Sequence, residues 1–315
     1  MPRGWYLAQG LFPLGYSSSD DEEGPCTLPN GRIVCGPHGL VQCHKCCTDY
    51  SFMDEIDSDH DEDPEDSEED DADSDSAPAT LFPSGSVPRL EMVRGTGLVF
   101  PSKFTPGPRP LPPMELFSGR FRFMNVLRCT YPNDDSKLLI MTDGACLNNG
   151  QANPKAGFAF FQGLTMEGQP LVVSNRLEKQ GPWGDDALQS SNRAELRAVI
   201  AALRLRYWPG EGFKTVVVAT DSEYVVEGST RWAKAWARNG WRTRGTNGHN
   251  GAVVKNKDLW EALLGEFERA KENGLSIQFW KIPREWNMLA DEGAKKAAAK
   301  EEAPATWMDI SGLAI

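Results

Sequence analysis

The second half of the sequence predicts a mixed α/β domain, a five-stranded sheet with helices on both faces, and three observations carry that reading. Two short apolar runs, residues 138–141 and 216–219, each end in Thr-Asp followed by a small residue, which marks buried strands closed by a turn. Between them, residues 157–162 and 171–177 alternate as strands joined by a glycine-containing turn. They form a meander with the first run. Leu196, Val199, Ile200 and Leu203 then recur at the i, i+3, i+4, i+7 spacing of an amphipathic helix, closed by Pro209 and Gly210. A hairpin meander that feeds α/β crossovers implies a mixed sheet covered on both sides.

The remaining elements follow in order. Residues 229–257 read as a polar helical pair. Leu259, Leu263, Leu264 and Phe267 mark the next helix, residues 276–282 the last strand and residues 286–300 the last helix. The order is β-β-β-α-β-α-α-β-α. Upstream, the chain divides into an arm (1–25), a Cys/His module (26–53), an acidic and then Pro-rich disordered linker (54–114) and a connecting segment (115–136) that adds an edge to the domain at 137–300. A tail, 301–315, ends it. Residues 54–75 carry 15 carboxylates and no basic side chain, so repulsion and lack of burial predict disorder there. Nine prolines between 78 and 114 fix φ and remove donors, which predicts an extended spacer.

The net charge of -12 hides two parts of opposite sign. Residues 20–75 hold 20 acidic and 2 basic side chains, whereas residues 137–300 hold 23 basic and 18 acidic ones, a net of +5. An acidic average therefore does not exclude a nucleic-acid partner for the folded part. No apolar run reaches the roughly 20 residues of a membrane span, and the start lacks a basic region followed by an apolar core. The expectation is an intracellular, monomeric protein with no membrane partner.

Two strands that each deliver an aspartate just past an apolar run set Asp143 and Asp221 side by side if they are adjacent and parallel. Glu195 lies at the edge of the buried face of the first helix, and Asp291 in the first turns of the last, beside the small residues Ala290, Gly293, Ala294 and Ala297. Four converging carboxylates repel one another, and a pair of hard divalent cations resolves that repulsion. An isolated Thr-Asp-Gly would be read as a turn. In order and spacing, Asp143-Gly144-Ala145-Cys146, Ser191-Asn192-Arg193-Ala194-Glu195-Leu196, Thr220-Asp221-Ser222-Glu223-Tyr224-Val225 and Asn287-Met288-Leu289-Ala290-Asp291 resemble the four signature blocks of the type 1 ribonuclease H family. The resemblance covers residues 137–300. It implies the ribonuclease H fold and endonucleolytic cleavage of the RNA strand of RNA/DNA hybrids. It also implies two magnesium ions, with manganese as a substitute, held by Asp143, Glu195, Asp221 and Asp291.

Residues 229–257 hold seven Lys/Arg, no acidic residue, and Trp232, Trp236 and Trp241, which resembles the basic protrusion of the same family. Arg238, Arg242 and Arg244 are candidates for phosphate contacts. The tryptophans either pack on sugars or build a local core. Asn148 and Asn192 match positions that in the family contact the hybrid across its minor groove, where amides can read the 2′-hydroxyl. Three positions depart from the pattern. Residues 282–286 read Ile-Pro-Arg-Glu-Trp where many members carry a histidine loop, Ser191 stands where Asn is common, and Glu223 where Gln is common.

The cysteine cluster is a separate matter. Cys35-x2-His38-x4-Cys43-x2-Cys46 offers four ligands in two close pairs, with Cys26, His44 and Cys47 as competitors, the arrangement of a structural zinc site that would supply the folding free energy of a core-poor segment. Such a module could recruit a protein partner. The rival to the hydrolase reading is a weak or inactive ribonuclease H-fold adaptor that binds nucleic acid and recruits a partner through the zinc module. The retained carboxylates argue against it.

Overall fold

The computed structural model describes residues 91–109, 111–242 and 252–310, with 12–13, 25–27, 33–35, 40–43 and 48–49 upstream. The upstream strands Phe12–Pro13, Pro25–Thr27 and Ile33–Cys35 form a three-stranded antiparallel sheet, and Gln42–Cys43 pairs with Thr48–Asp49. The acidic stretch 54–75 lies outside the described residues.

The main domain runs β1 (Ser102–Lys103), α1 (Pro113–Leu116), β2 (Gly119–Phe123), β3 (Val126–Tyr131), β4 (Asp134–Leu147), β5 (Lys155–Thr165), β6 (Pro170–Arg176), α2 (Ser191–Arg204), β7 (Thr215–Thr220), α3 (Glu223–Glu227), α4 (Ala233–Arg238), α5 (Lys257–Glu272), β8 (Ser276–Lys281) and α6 (Met288–Ala298). The expected meander is present: β4, β5 and β6 are antiparallel neighbours, with Phe158 opposite Gly144 and Asn175. β7 and β8 add in parallel to β4. Helices cover both faces, as expected. Alternation along the strands divides the core. Leu138, Ile140, Phe158, Phe160, Val216, Val218 and Phe279 pack under α2 and α5, while Leu139, Met141, Phe161, Val217, Ala219 and Trp280 face Phe117 and the start of α6.

Among the described residues the sheet has eight strands rather than five. β1 pairs in parallel with β8, and the hairpin of β2 and β3 joins at the ends of β4 and β5. The reading of a disordered linker through residue 114 therefore fails from residue 91 onward. The physical reason is close backbone contact. Gly95 N donates to Glu261 O at 2.8 Å, and a side chain at Gly95 would meet the Gly265 nitrogen at 2.4 Å. The backbone N–H groups of Thr96 and Gly97 converge on the Glu268 carboxylate at 2.8 and 2.9 Å. Arg94 pairs with Glu261 and stacks 4.3 Å from the Trp183 ring centre. Phe104 then joins Phe117, Tyr131 and Trp280. Pro101, one of the prolines that read as a spacer, stands directly before β1, where its fixed φ suits an extended chain.

The domain also runs past residue 300. Asp309 binds Arg204 at 2.6 Å, Met308 O accepts from Arg197 at 2.6 Å, and Arg197 lies over the Trp307 ring at 3.9 Å. These buried charges are costly to strip of a partner. Removing residues 1–80 is expected to leave the melting temperature of the domain nearly unchanged. Removing residues 1–104 deletes the strap, β1 and Phe104 and is expected to cost about 3 kcal/mol, roughly 10 °C, by calorimetry. Equal melting temperatures for the two truncations would show that the strap is not part of the domain.

Candidate active site

The register of the central strands builds the site. Met141 pairs with Ala219 in the parallel β4–β7 ladder, so two residues further on the strands deliver Asp143 and Asp221 at the same end of the sheet. This is the juxtaposition expected from the two Thr-Asp turns. Gly144 lets α2 approach until its second turn, carrying Glu195, lies against β4: a Cβ on Gly144 would sit 2.2 Å from the Glu195 nitrogen. α2 starts at a capped end, with the Ser190 hydroxyl accepting from Arg193 N. Gly293 lies close to Ala159 and Val172, so the small face of α6 seats that helix on the other side of the sheet and brings in Asp291.

The electrostatics are those of crowded acids. Burial, followed by the charges of Asp221 and Asp291, pushes the Asp143 carboxyl well above its usual range. Glu195 is pushed well up by burial and by the charges of Asp143 and Asp221, and it shares a hydrogen bond with Asp143. Burial raises Asp221, opposed by a hydrogen bond from Asn287 and the charge of Arg284. Asp291 is engaged by Arg284 at 2.9 Å and Lys295 at 3.2 Å. Among the described residues, no group of three or more His, Cys, Asp or Glu side chains is set in metal-holding geometry. The hydrogen bonds and ion pairs just given hold the four carboxylates in their present positions. The donor set nevertheless fits a hard divalent cation: all four groups are carboxylates, and the buried Glu195 Oε2 has no donor among the described residues.

The other sequence candidates separate. Trp232 and Trp236 are buried at 3% and 5%, in a run of rings with Trp260 and Tyr224 at 5.4 to 6.4 Å between centres. They build a local core and do not present their faces to a ligand. Tyr224 anchors that core, accepting from Trp260 Nε1 at 2.9 Å, and burial pushes its hydroxyl up to about 12. Trp241 is half-buried against the same cluster, while Arg238 and Arg242 are exposed. Asn148 is exposed in a left-handed turn at φ 54°, and Asn192 is half-buried in the first turn of α2. Arg244, His38 and Cys46 lie outside the described residues, as do the side chains of Cys35 and Cys43. The zinc site therefore has no described geometry.

Two residues at the site were not singled out by sequence. Arg284, in the Pro-Arg-Glu segment, faces all four carboxylates. Asn287 donates to Asp221. The signal was present in the second case, an amide just before a helix start, but its target was set by the tertiary fold.

The sequence profile of the RNase H family matches residues 135–299, which spans the meander, α2, both parallel strands and α6 and so includes all four carboxylates. The chain belongs to the type 1 ribonuclease H family. Similar members of this nuclease family include the ribonuclease H of Treponema pallidum, 34% identical over 177 residues, which are 53% of this chain and 94% of that one. Ribonuclease H of Cereibacter sphaeroides is 38% identical over 136 residues, covering 43% of this chain and 78% of that protein. Human ribonuclease H1 is 31% identical over 180 residues, 55% of each chain. The strap and β1 to β3, residues 91–131, lie before the matched family region.

Proposed function

We propose that this chain is an endonuclease that hydrolyses the RNA strand of RNA/DNA hybrids and leaves 5′-phosphomonoesters, with two magnesium ions, or manganese, held by Asp143, Glu195, Asp221 and Asp291. The observation that carries it is the delivery of four carboxylates from β4, α2, β7 and α6 to one end of the sheet, at a cost in burial and repulsion that a purely structural core would not retain. The cations would activate water and stabilise the leaving oxygen of the scissile phosphodiester. The chain's own part is orientation. Parallel pairing of β4 and β7 fixes Asp143 against Asp221, the Gly144 contact fixes Glu195, and Arg284 with Lys295 offsets the charge of Asp291. Asn148 and Asn192 are the proposed minor-groove contacts. The full-length protein, incubated with magnesium and labelled RNA/DNA, RNA/RNA and DNA/DNA duplexes, tests the assignment. Cleavage confined to the RNA strand of the hybrid is expected. No cleavage of the hybrid, or full cleavage in excess chelator, would overturn it.

The protrusion is proposed to hold phosphates remote from the scissile bond. Arg231, Lys234 and Arg238 are exposed and make no ion pair among the described residues. Replacing all three by Ala is expected to raise the Michaelis constant for hybrid. The salt slope of binding should fall by about one unit per lost phosphate contact, with saturated turnover within roughly twofold. An unchanged salt slope would assign these charges to solvation.

The Cys/His segment is proposed to hold one zinc through Cys35, His38, Cys43 and Cys46 and to offer a docking site for a protein partner. Elemental analysis of the full-length protein and of a protein lacking residues 1–80 tests the metal. Zinc in the first and not the second is expected.

A further inference from the structure

Asn287 links three of the four acidic elements. It is fully buried, at 0% exposure, in the residue before α6. Its Nδ2 donates to Asp221 Oδ1 at 2.6 Å and to Thr142 O at 2.9 Å. Its main-chain oxygen accepts from the nitrogens of Ala290 and Asp291 at 3.1 and 3.0 Å. Thr142 precedes Asp143, Asp221 follows β7 and Asp291 rides on α6, so a single residue ties β4, β7 and α6 at their acidic ends. The orientation of the amide is not arbitrary, because exchanging N and O would aim an oxygen at two acceptors.

Stability alone does not account for this residue. Its Oδ1 is buried with no hydrogen-bond partner among the described residues, which is unfavourable for folding. An apolar side chain of similar size would avoid that cost. What the amide supplies, and an apolar residue cannot, is a pair of N–H groups aimed at one carboxylate oxygen and at the backbone of the neighbouring strand.

We propose that Asn287 is a positioning residue for the carboxylate cluster: its N–H pair locks the Asp221 carboxylate against strand β4, and its main-chain oxygen sets the start of the helix that carries Asp291. The proposal rests on the hydrolytic reading above but is separable from it. Groups that orient metal-ligating side chains typically change metal affinity or activity by about 10- to 100-fold when removed.

Two variants test it. Asn287→Asp keeps the shape and replaces both donors by an oxygen that faces Thr142 O and the Asp221 carboxylate. Its turnover on hybrid is expected to fall about 10- to 100-fold, with the Michaelis constant within roughly twofold, because Asn287 is buried and touches no substrate. Asn287→Ala, titrated with manganese by calorimetry without nucleic acid, is expected to bind the metal about tenfold more weakly than the unmodified protein. The manganese measurement does not require that hybrid be the substrate. If the unmodified protein fails to cut hybrid, the hydrolytic reading fails while the titration still decides the role of Asn287. Wild-type turnover in a folded Asn287→Asp, or unchanged manganese affinity in a folded Asn287→Ala, would overturn the proposal. A Michaelis constant that rises as much as turnover falls would overturn it as well.

Discussion

Asp143→Asn is expected to abolish cleavage of hybrid and at the same time to stabilise the metal-free protein. Asp143 is 5% exposed, lies beside Asp221 and Asp291, and shares a hydrogen bond with Glu195. Its carboxyl is raised by burial first and by its acidic neighbours second. The sign of the pH dependence follows. A carboxyl whose folded pKa exceeds its unfolded value favours folding while it is protonated in both states, below its ordinary value of 3.8, and that contribution disappears as pH rises through the raised folded value. Near neutral pH, without metal, the charge is therefore a net cost. An amide removes it and gives Glu195 a donor. The expected result is a higher melting temperature at neutral pH, with a shallower decline of stability between acidic and neutral pH than in the unmodified protein. Loss of one proposed ligand should lower turnover by about a thousandfold or more, equivalent to ~4 kcal/mol of transition-state stabilisation. Millimolar magnesium should raise the melting temperature of the unmodified protein more than that of the variant. A variant that melts lower at neutral pH without metal would show that Asp143 is held mainly by favourable contacts. One that cuts hybrid at the wild-type rate would remove Asp143 from the catalytic set.

The sequence made the core of the domain legible because its signals there were local. A run such as Leu138-Leu139-Ile140-Met141 announces a buried strand, the 3.6-residue spacing from Leu196 to Leu203 announces a helix, and two Thr-Asp turns at matching strand ends place two carboxylates together. The edges were misread because what orders them is not local. Residues 91–104 follow the acidic stretch and lie among the nine prolines of 78–114, and their apolar groups Met92, Leu98, Val99, Phe100 and Phe104 show no helical or strand period, which in isolation describes a spacer. They are held by contacts more than 150 residues away, through a backbone approach at Gly95 and Gly265 and a carboxylate, Glu268, that gathers their N–H groups. The tail is similar: Trp307 and Asp309 matter only because Arg197 and Arg204 are buried beneath them. The sequence leaves Trp232 and Trp236 open to a ligand or to a core, and the positions of Tyr224 and Trp260 decide for the core. Arg284 and Asn287 were hidden for the same reason, since the groups they address lie on other elements.

Gly144→Ala is expected to damage both folding and catalysis, although it adds one methyl group to a residue that ligates nothing. Gly144 is paired with Phe158 inside β4 and β5, and the chain there is ordinary extended strand, so conformational freedom is not the reason for glycine. The reason is space. A Cβ would stand 2.2 Å from the nitrogen of Glu195 and 2.4 Å from the carbonyl carbon of Ala194, both backbone atoms of α2. Neither can rotate out of the way. The helix must therefore retreat from the sheet by roughly 1 Å, which opens the packing of Ala194, Ala198 and Val199 and draws Glu195 away from Asp143. Overpacking of this kind costs about 1–3 kcal/mol, and a displacement near 1 Å at a reacting centre costs on the order of a hundredfold in rate. The expected result is a folded protein with a lower melting temperature, turnover reduced about a hundredfold, and a Michaelis constant for hybrid close to that of the unmodified protein, since the protrusion is untouched. Gly107→Ala is the matched control: its added methyl meets nothing within 4 Å, so stability should stay within about 0.5 kcal/mol and turnover should not change. Wild-type turnover in Gly144→Ala would mean that α2 can shift without moving Glu195, and would remove the close strand-to-helix contact from the account of how the four carboxylates are assembled.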